Sequence, residues 1–152
     1  YTFISPEADA LGSGWNIAQS KIAIGSGQFF GKGYMEGSQS QLDFIPESHT
    51  DFIFAVIVEE FGFLGALGLF LLYAFLIHRL LYVAKSSNSK FAKLVSATLS
   101  IILAAYITLN ISMVVGIFPV VGMPLPFISQ GGTALVVNMI TIGIILSLRR
   151  TT

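Results

Sequence analysis

The stretch IPESHTDFIFAVIVEEFGFLGALGLFLLYAFLI (residues 45–77) decides how this chain folds. It starts with polar and acidic residues, and after Asp51 it becomes almost entirely apolar. A helix needs about 20 apolar residues to cross a bilayer core. The charge-free run at 61–77 reaches that length when it is extended back to residue 52. Asp51 therefore lies at a predicted membrane boundary, where desolvating a carboxylate is costly.

Two further stretches, 94–118 and 127–148, carry no charge over a comparable length. The chain is 54% hydrophobic and 11% charged, with a mean hydropathy of +0.80. These values are too apolar for an ordinary soluble domain. We therefore predict an all-α polytopic membrane protein with three transmembrane helices. The chain contains no cysteine, which excludes disulfides and thiolate metal sites.

The charges divide sharply along the chain. All eight acidic residues lie at or before Glu60, whereas six of the eight basic residues follow it. The basic residues cluster between the first two apolar stretches and after the third, so the positive-inside rule places both segments in the cytoplasm. The predicted organisation is an extracellular loop at 1–51 with amphipathic or re-entrant segments, spans at 52–83 and 94–118, a cytoplasmic loop at 84–93, an extracellular Pro/Gly loop at 119–132, and a last span with a cytoplasmic C-terminus at 133–152.

The region before Asp51 is polar and rich in glycine. Residues 14–25 fit a short helix at the headgroup level, with Trp15, Ala18 and Ile22 on one face. A loop with one buried tryptophan fits equally well. The chain starts with Tyr1 and shows no signal-peptide pattern, so we expect it to be the C-terminal part of a longer protein.

The segment IGSGQFFGKG (residues 24–33) invites comparison with a phosphate-binding loop. It fails that comparison, because three residues separate Gly27 from Gly31 where the motif has four, and Gly33 stands where Ser or Thr is needed. We interpret its glycines as turns and close backbone approaches.

Asp51 is the candidate general base, and Glu47 and His49 alternate with it. On an extended backbone all three side chains point one way, whereas on a helix only Glu47 and Asp51 share a face. This spacing does not specify a metal site. Ser48 or Thr50 is alternatively a helix N-cap, and a capped helix start is compatible with a base at Asp51.

Other polar groups fall at membrane depth. At least one of Glu59 and Glu60 is expected to face a polar cavity or another helix. Asn110 and Asn138 are interpreted as interhelical hydrogen-bonding residues. The Pro/Gly loop at 119–132 is expected to be tightly packed or re-entrant and to line a cavity on the same side as Asp51.

Several motifs resemble the SEDS family of bacterial envelope polymerases, and the segment QSQLDF (39–44) is most similar to its RodA, elongation-type branch. The family fold implied by this resemblance is a ten-helix membrane bundle, of which this chain would form a large extracellular loop and the last three helices. Gln130 departs from the family, many of whose members have tyrosine at this position. The matching stretches are QSKIAIGSG (19–27), GKG (31–33), LDFIPESHTDFIFAVIVEEFGFLG (42–65) and GIFPVVGMPLPFISQGGTAL (116–135).

The resemblance implies a peptidoglycan glycosyltransferase that polymerises lipid II during cell elongation, in cell-wall biogenesis, cell shape and division. Asp51 matches the family's essential aspartate and would be the general base. No cofactor is specified, and a divalent cation on the pyrophosphate is compatible with the chemistry. The expected substrate-binding residues are Lys21 and Lys32 for charge stabilisation, Glu47, His49 and Thr50 around the base, and Pro124, Pro126, Ser129, Gly131 and Gly132 in the Pro/Gly loop.

The expected surroundings are the bacterial plasma membrane, lipid II and a class B penicillin-binding protein, with no nucleic acid. A lipid II flippase and a non-catalytic scaffold for the transpeptidase are the alternative functions. The lack of any acid after Glu60 disfavours a proton-coupled transporter. We expect the isolated chain to be inactive, because about seven helices of the family fold would be missing.

Overall fold

The computed structural model describes residues 13–33 and 51–150. All regular secondary structure in these two segments is helical, which confirms the predicted all-α fold class. The short helix predicted at 14–25 is also confirmed. The helices are α1 (Ser13–Gly27), α2 (Ile53–Ser86), α3 (Lys90–Val115) and α4 (Gly132–Arg150).

Two of these helices, α2 and α3, are long and apolar enough to cross a membrane. Only 17% of the most apolar part of α2 is buried, whereas the core helix of a soluble protein would be mostly buried. Its outward face is apolar and suits contact with lipid or with further helices. The apolar part of α4 is shorter, at 132–148, so the third span stays a prediction.

At their facing ends the helices α2 and α3 extend beyond the predicted spans, although α3 ends at Val115 and not at residue 118. They leave a connection of residues 87–89, shorter than the predicted loop at 84–93. The helix α4 packs on both α2 and α3, and α1 packs on the same two helices from the other end of the chain. The described residues thus form one bundle around α2 and α3.

A kink at Gly62 interrupts α2. Its backbone angles, φ 68° and ψ −161°, lie in a region that is essentially restricted to glycine. The kink separates carbonyl and amide groups that would otherwise pair within the helix, and the loop at 28–33 pairs with them instead. Four backbone hydrogen bonds join the two segments: Lys32 N to Glu59 O (3.0 Å), Gly33 N to Glu60 O (3.1 Å), Phe63 N to Gln28 O (2.9 Å) and Leu64 N to Phe29 O (3.3 Å).

This pairing needs very close contact between backbones. A Cβ atom on Gly27 would clash with the carbonyl of Val58, and one on Gly31 would clash with the carbonyl of Glu60. Likewise, a Cβ on Gly62 would clash with the Gly31 amide. The close approaches predicted from the glycines of this segment are therefore confirmed at Gly27 and Gly31, but not at Gly25, where a Cβ would meet nothing within 4 Å.

The helix α1 is fixed to the end of α3 by a buried serine. The Ser20 hydroxyl lies 2.9 Å from both the Val114 carbonyl and the Ile17 carbonyl of its own helix. The packed face of α1 includes Ser20 and Ala23, whereas Ala18 and Ile22 point outward. Two of the three residues predicted to share a face are therefore on the exposed side of the helix.

We predict that Gly62→Ala destabilises the protein, because a side chain there is strained and clashes with Gly31. The backbone strain alone should cost about 1–3 kcal/mol. The matched control is Gly68→Ala in the same helix, where a Cβ meets nothing within 4 Å. Thermal unfolding of the full-length protein in detergent should show a lower Tm for Gly62→Ala only. Equal Tm values for the two variants would contradict the role assigned to the kink.

Candidate active site

Asp51 lies in the turn that precedes α2 and is 8% exposed. The N-cap position of α2 is occupied by Phe52, and no side chain caps the helix there. The helix starts at Ile53, and the predicted capping residues, Ser48 and Thr50, lie outside the described residues. The position of Asp51 is instead fixed by contacts with other parts of the chain.

The first of these contacts comes from Asn110 of α3, which is fully buried. Its Nδ2 atom donates to the backbone carbonyl of Asp51 at 2.9 Å and to that of Met123 at 2.6 Å. The sequence interpretation of Asn110 as interhelical glue is thus only partly right, because its partners are main-chain carbonyls outside the helices. One amide joins the start of α2 to the Pro/Gly loop.

The carboxylate of Asp51 lies against Gly122 of that loop. Gly122 has φ 68°, and a Cβ on it would lie 3.5 Å from Oδ2 of Asp51. A residue other than glycine would therefore be strained at this position and would place a methyl group beside the carboxylate. The loop and the candidate base therefore border one site. The predicted topology, which puts both on the same side of the membrane, is compatible with this arrangement.

The same glycine lines an apolar cleft of about 410 Å³. The cleft lies between α3, α4 and the Pro/Gly loop, so Gly122 connects the carboxylate to the cleft. Its walls include Leu103 and Tyr106 of α3, Val137 and Asn138 of α4, and Met123, Pro124 and Pro126 of the loop.

Side-chain hydrogen bonds hold the loop in shape. The Tyr73 hydroxyl of α2 donates to the carbonyl of Pro126 at 2.6 Å. Within the loop, the Leu125 amide donates to the Ser129 hydroxyl at 2.7 Å, and Leu125 itself is 1% exposed. Phe127 adopts a positive φ of 68°, which is uncommon for a bulky residue. These contacts therefore hold the loop that forms one wall of the cleft in a defined conformation.

Lys32, a predicted substrate-binding residue, lies 3.0 Å from Oε1 of Glu59 in an ion pair. Glu59 is fully buried, whereas 31% of the Lys32 side chain is exposed. Glu59 thus has a polar partner, but that partner belongs to the loop at 28–33 and not to the polar cavity or other helix that was expected. Glu59 lies about 9 Å along the axis of α2 from Ile53. The ammonium group of Lys32 therefore lies about two turns further along α2 than Asp51. A role of Lys32 in substrate binding stays a prediction.

The other predicted site residues fall in three places. Lys21 is exposed on α1 and packs against Gly116, where α3 ends. Gly131 immediately precedes α4 and Gly132 begins it, between residues of the loop and of α4 that line the cleft. Glu47, His49 and Thr50 lie outside the described residues.

In the described segments, no group of three or more His, Asp or Glu side chains is arranged to hold a metal ion. The sequence analysis considered Glu47, His49 and Asp51 as a metal site, and two of these residues, Glu47 and His49, lie outside those segments. A divalent cation stays a prediction.

The sequence analysis did not assign Gly122, Asn110 or Tyr73 to this site. Asn110 carried a signal, since a polar amide in an apolar run needs a partner, but its partners could not be read from spacing. The predicted topology placed the whole Pro/Gly loop on the same side as Asp51, but nothing in the sequence singled out Gly122 within it.

We predict that Lys32→Met destabilises the protein more than Glu59→Gln. The first change leaves a fully buried carboxylate without its cation, a loss of about 3–5 kcal/mol for a fully buried pair. The second change leaves a partly exposed ammonium group that can reach water. Thermal unfolding of both full-length variants tests this order. A larger loss of Tm for Glu59→Gln would contradict it.

Comparison with known proteins gives a consistent result. The sequence profile of the cell cycle protein family of FtsW, RodA and SpoVE matches residues 1–152. Peptidoglycan glycosyltransferase MrdB of Escherichia coli K12 is 52% identical over 145 residues, which cover 95% of this chain and 39% of that protein. Peptidoglycan glycosyltransferase RodA of Treponema pallidum is 39% identical over 146 residues, covering 96% of this chain and 34% of that protein.

Two solved structures share the fold. A chain of a peptidoglycan synthase complex that coordinates polymerization and crosslinking aligns with a TM-score of 0.78 and 28% identity, covering 98% of this chain and 40% of that one. The rod shape determining protein RodA of Thermus thermophilus aligns with a TM-score of 0.64 and 34% identity, covering 67% of this chain and 34% of that one. The chain thus spans about two fifths or less of the length of each of these proteins.

Proposed function

The chain belongs to the FtsW, RodA and SpoVE family of cell cycle proteins, and from this premise we propose that it is part of a peptidoglycan glycosyltransferase. Its substrate is lipid II, a disaccharide-peptide carried on a polyprenyl pyrophosphate, which it polymerises into glycan strands during cell elongation. Relatives that are named peptidoglycan glycosyltransferases support this proposal.

The observation that carries the proposal is the proximity of the Asp51 carboxylate to Gly122. It puts a buried carboxylate next to a residue that lines an apolar cleft. A lipid-linked sugar substrate needs both features close together, since its reacting sugar is polar and its carrier is apolar. We assign Asp51 to the sugar and the cleft, with Pro124 and Pro126 in its wall, to the apolar carrier.

The proposed reaction uses Asp51 as a general base. Its carboxylate accepts the proton of the acceptor sugar's 4-hydroxyl while that oxygen bonds to the anomeric carbon of the donor. The bond from the anomeric carbon to the pyrophosphate breaks, and the polyprenyl pyrophosphate leaves with the bonding electrons. A positioned base contributes typically ~10²–10⁴-fold. Because the leaving group is already activated, a single base together with cationic stabilisation suffices.

We propose that the two long apolar helices lie in the bacterial plasma membrane, with the Asp51 end outside and the C-terminus in the cytoplasm. The clustering of basic residues at the facing ends of α2 and α3 and at the end of α4 supports this orientation. A class B penicillin-binding protein is the proposed partner. Its support is the likeness to a chain from a complex in which polymerization and crosslinking are coordinated.

We predict that Asp51→Asn and Asp51→Ala lower the rate of lipid II polymerisation by the full-length protein about 10²–10⁴-fold. Asp51→Asn is the sharper variant, because it keeps the shape of the side chain and removes only its ability to act as a base, while the Asn110 bond to the backbone carbonyl survives in both. The matched control is Glu60→Gln, which neutralises an acid on α2 outside the site and should polymerise close to the wild-type rate. Glycan strands are measured from purified lipid II with the transpeptidase partner present.

Polymerisation by Asp51→Asn at the wild-type rate would remove Asp51 from the chemistry. If the wild-type protein moved lipid II across a vesicle membrane without joining its sugars, the flippase alternative would hold instead. Assembly of the wild-type protein with its partner in the absence of any strand synthesis would favour the scaffold.

A further inference from the structure

The fully buried side chain of Asn110 holds two segments of the candidate site with one nitrogen atom. Nδ2 donates to Asp51 O at 2.9 Å and to Met123 O at 2.6 Å. An amide NH₂ group has two hydrogens, so its donors match these two carbonyls in number. The reverse amide orientation would place an oxygen against both carbonyls, and the partners therefore determine which way the side chain points.

Both acceptors belong to residues outside the helices. Asp51 is the proposed base itself, and Met123 follows Gly122, the residue that lies against the Asp51 carboxylate. One side chain of α3 therefore sets the separation between the backbone of the base and the loop that borders it. An asparagine that served only helix packing would bond to a neighbouring helix.

The amide oxygen of Asn110 supports the same conclusion. Among the described residues, none donates a hydrogen bond to the buried Oδ1 atom of Asn110. A buried acceptor without a donor disfavours folding. The favourable contribution of this side chain therefore comes from the hydrogen bonds that its two N–H groups donate. These groups act on the main chain of the site.

We propose that Asn110 is a positioning residue, which fixes the main chain of Asp51 relative to the Pro/Gly loop so that the carboxylate meets the acceptor hydroxyl. This inference rests on the proposed function and assigns no contact between Asn110 and substrate. A misplacement of about 1 Å at a reacting group costs up to about 10²-fold in rate. Loss of the two hydrogen bonds should therefore lower kcat more than it changes KM.

Two substitutions separate positioning from packing. Asn110→Leu keeps the branched shape of the side chain and removes both donors, whereas Asn110→Ser leaves a void and keeps one hydroxyl donor. We expect kcat for lipid II polymerisation by the full-length protein to fall about 10- to 100-fold in Asn110→Leu and less in Asn110→Ser. Thermal unfolding of both variants reports the structural cost separately, because Asn110→Ser leaves a void and Asn110→Leu leaves two buried carbonyls without this donor.

The control is Ser100→Ala, which removes a buried hydroxyl of α3 that donates only to the Ser96 carbonyl of its own helix. It should keep the wild-type kcat. If Asn110→Leu does not fold, Asn110→Asp takes its place, since it has the same shape and sets an acceptor against two carbonyls. Its kcat should then be lower than that of Asn110→Ser.

Wild-type kcat in the folded variants that lack the donors would overturn the inference and leave the proposed function standing. A loss of kcat in Asn110→Ser as large as that in Asn110→Leu would overturn it too, because the retained hydroxyl donor would then make no difference. Undiminished polymerisation by Asp51→Asn in the same assay would instead overturn the proposed function, and this inference with it.

Discussion

The pairing of the kink at Gly62 with the loop at 28–33 is the constraint on which the described fold depends. A transmembrane helix normally satisfies all its backbone groups internally, because lipid offers no hydrogen-bond partners. Here α2 opens at Gly62, and the loop replaces the missing bonds with four of its own. The arrangement holds α1 and its loop against the bundle and places Lys32 next to Glu59.

The site depends on a second link of similar kind near the start of α2. There the side chain of Asn110 donates a hydrogen bond to the backbone carbonyl of Asp51. The same amide and the Tyr73 hydroxyl donate hydrogen bonds to backbone carbonyls of the Pro/Gly loop. A buried carboxylate thus faces a glycine whose backbone conformation excludes most side chains. Rigid support of this type is what a general base needs, because its contribution depends on its distance from the proton that it accepts.

Much of the fold could be predicted from sequence because apolar runs and charge asymmetry act over many residues. Those patterns gave α2 and α3, and the common side of Asp51 and the Pro/Gly loop. The kink could not be predicted in this way, since Gly62, Gly65 and Gly68 look alike in the sequence and only Gly62 adopts a positive φ. The link from Asn110 to Asp51 spans 59 residues and depends on the register of two packed helices, which no local pattern encodes.

The central claim is that Asp51 is the base in transfer of a sugar from a lipid carrier. The most direct measurement is a structure of the full-length Asp51→Asn variant with lipid II and a glycan acceptor bound. The account predicts the side chain of residue 51 within about 2.6–3.2 Å of the acceptor 4-hydroxyl, with the polyprenyl chain in the cleft beside Gly122. A 4-hydroxyl bonded to another carboxylate or histidine, with residue 51 remote from both sugars, would contradict it.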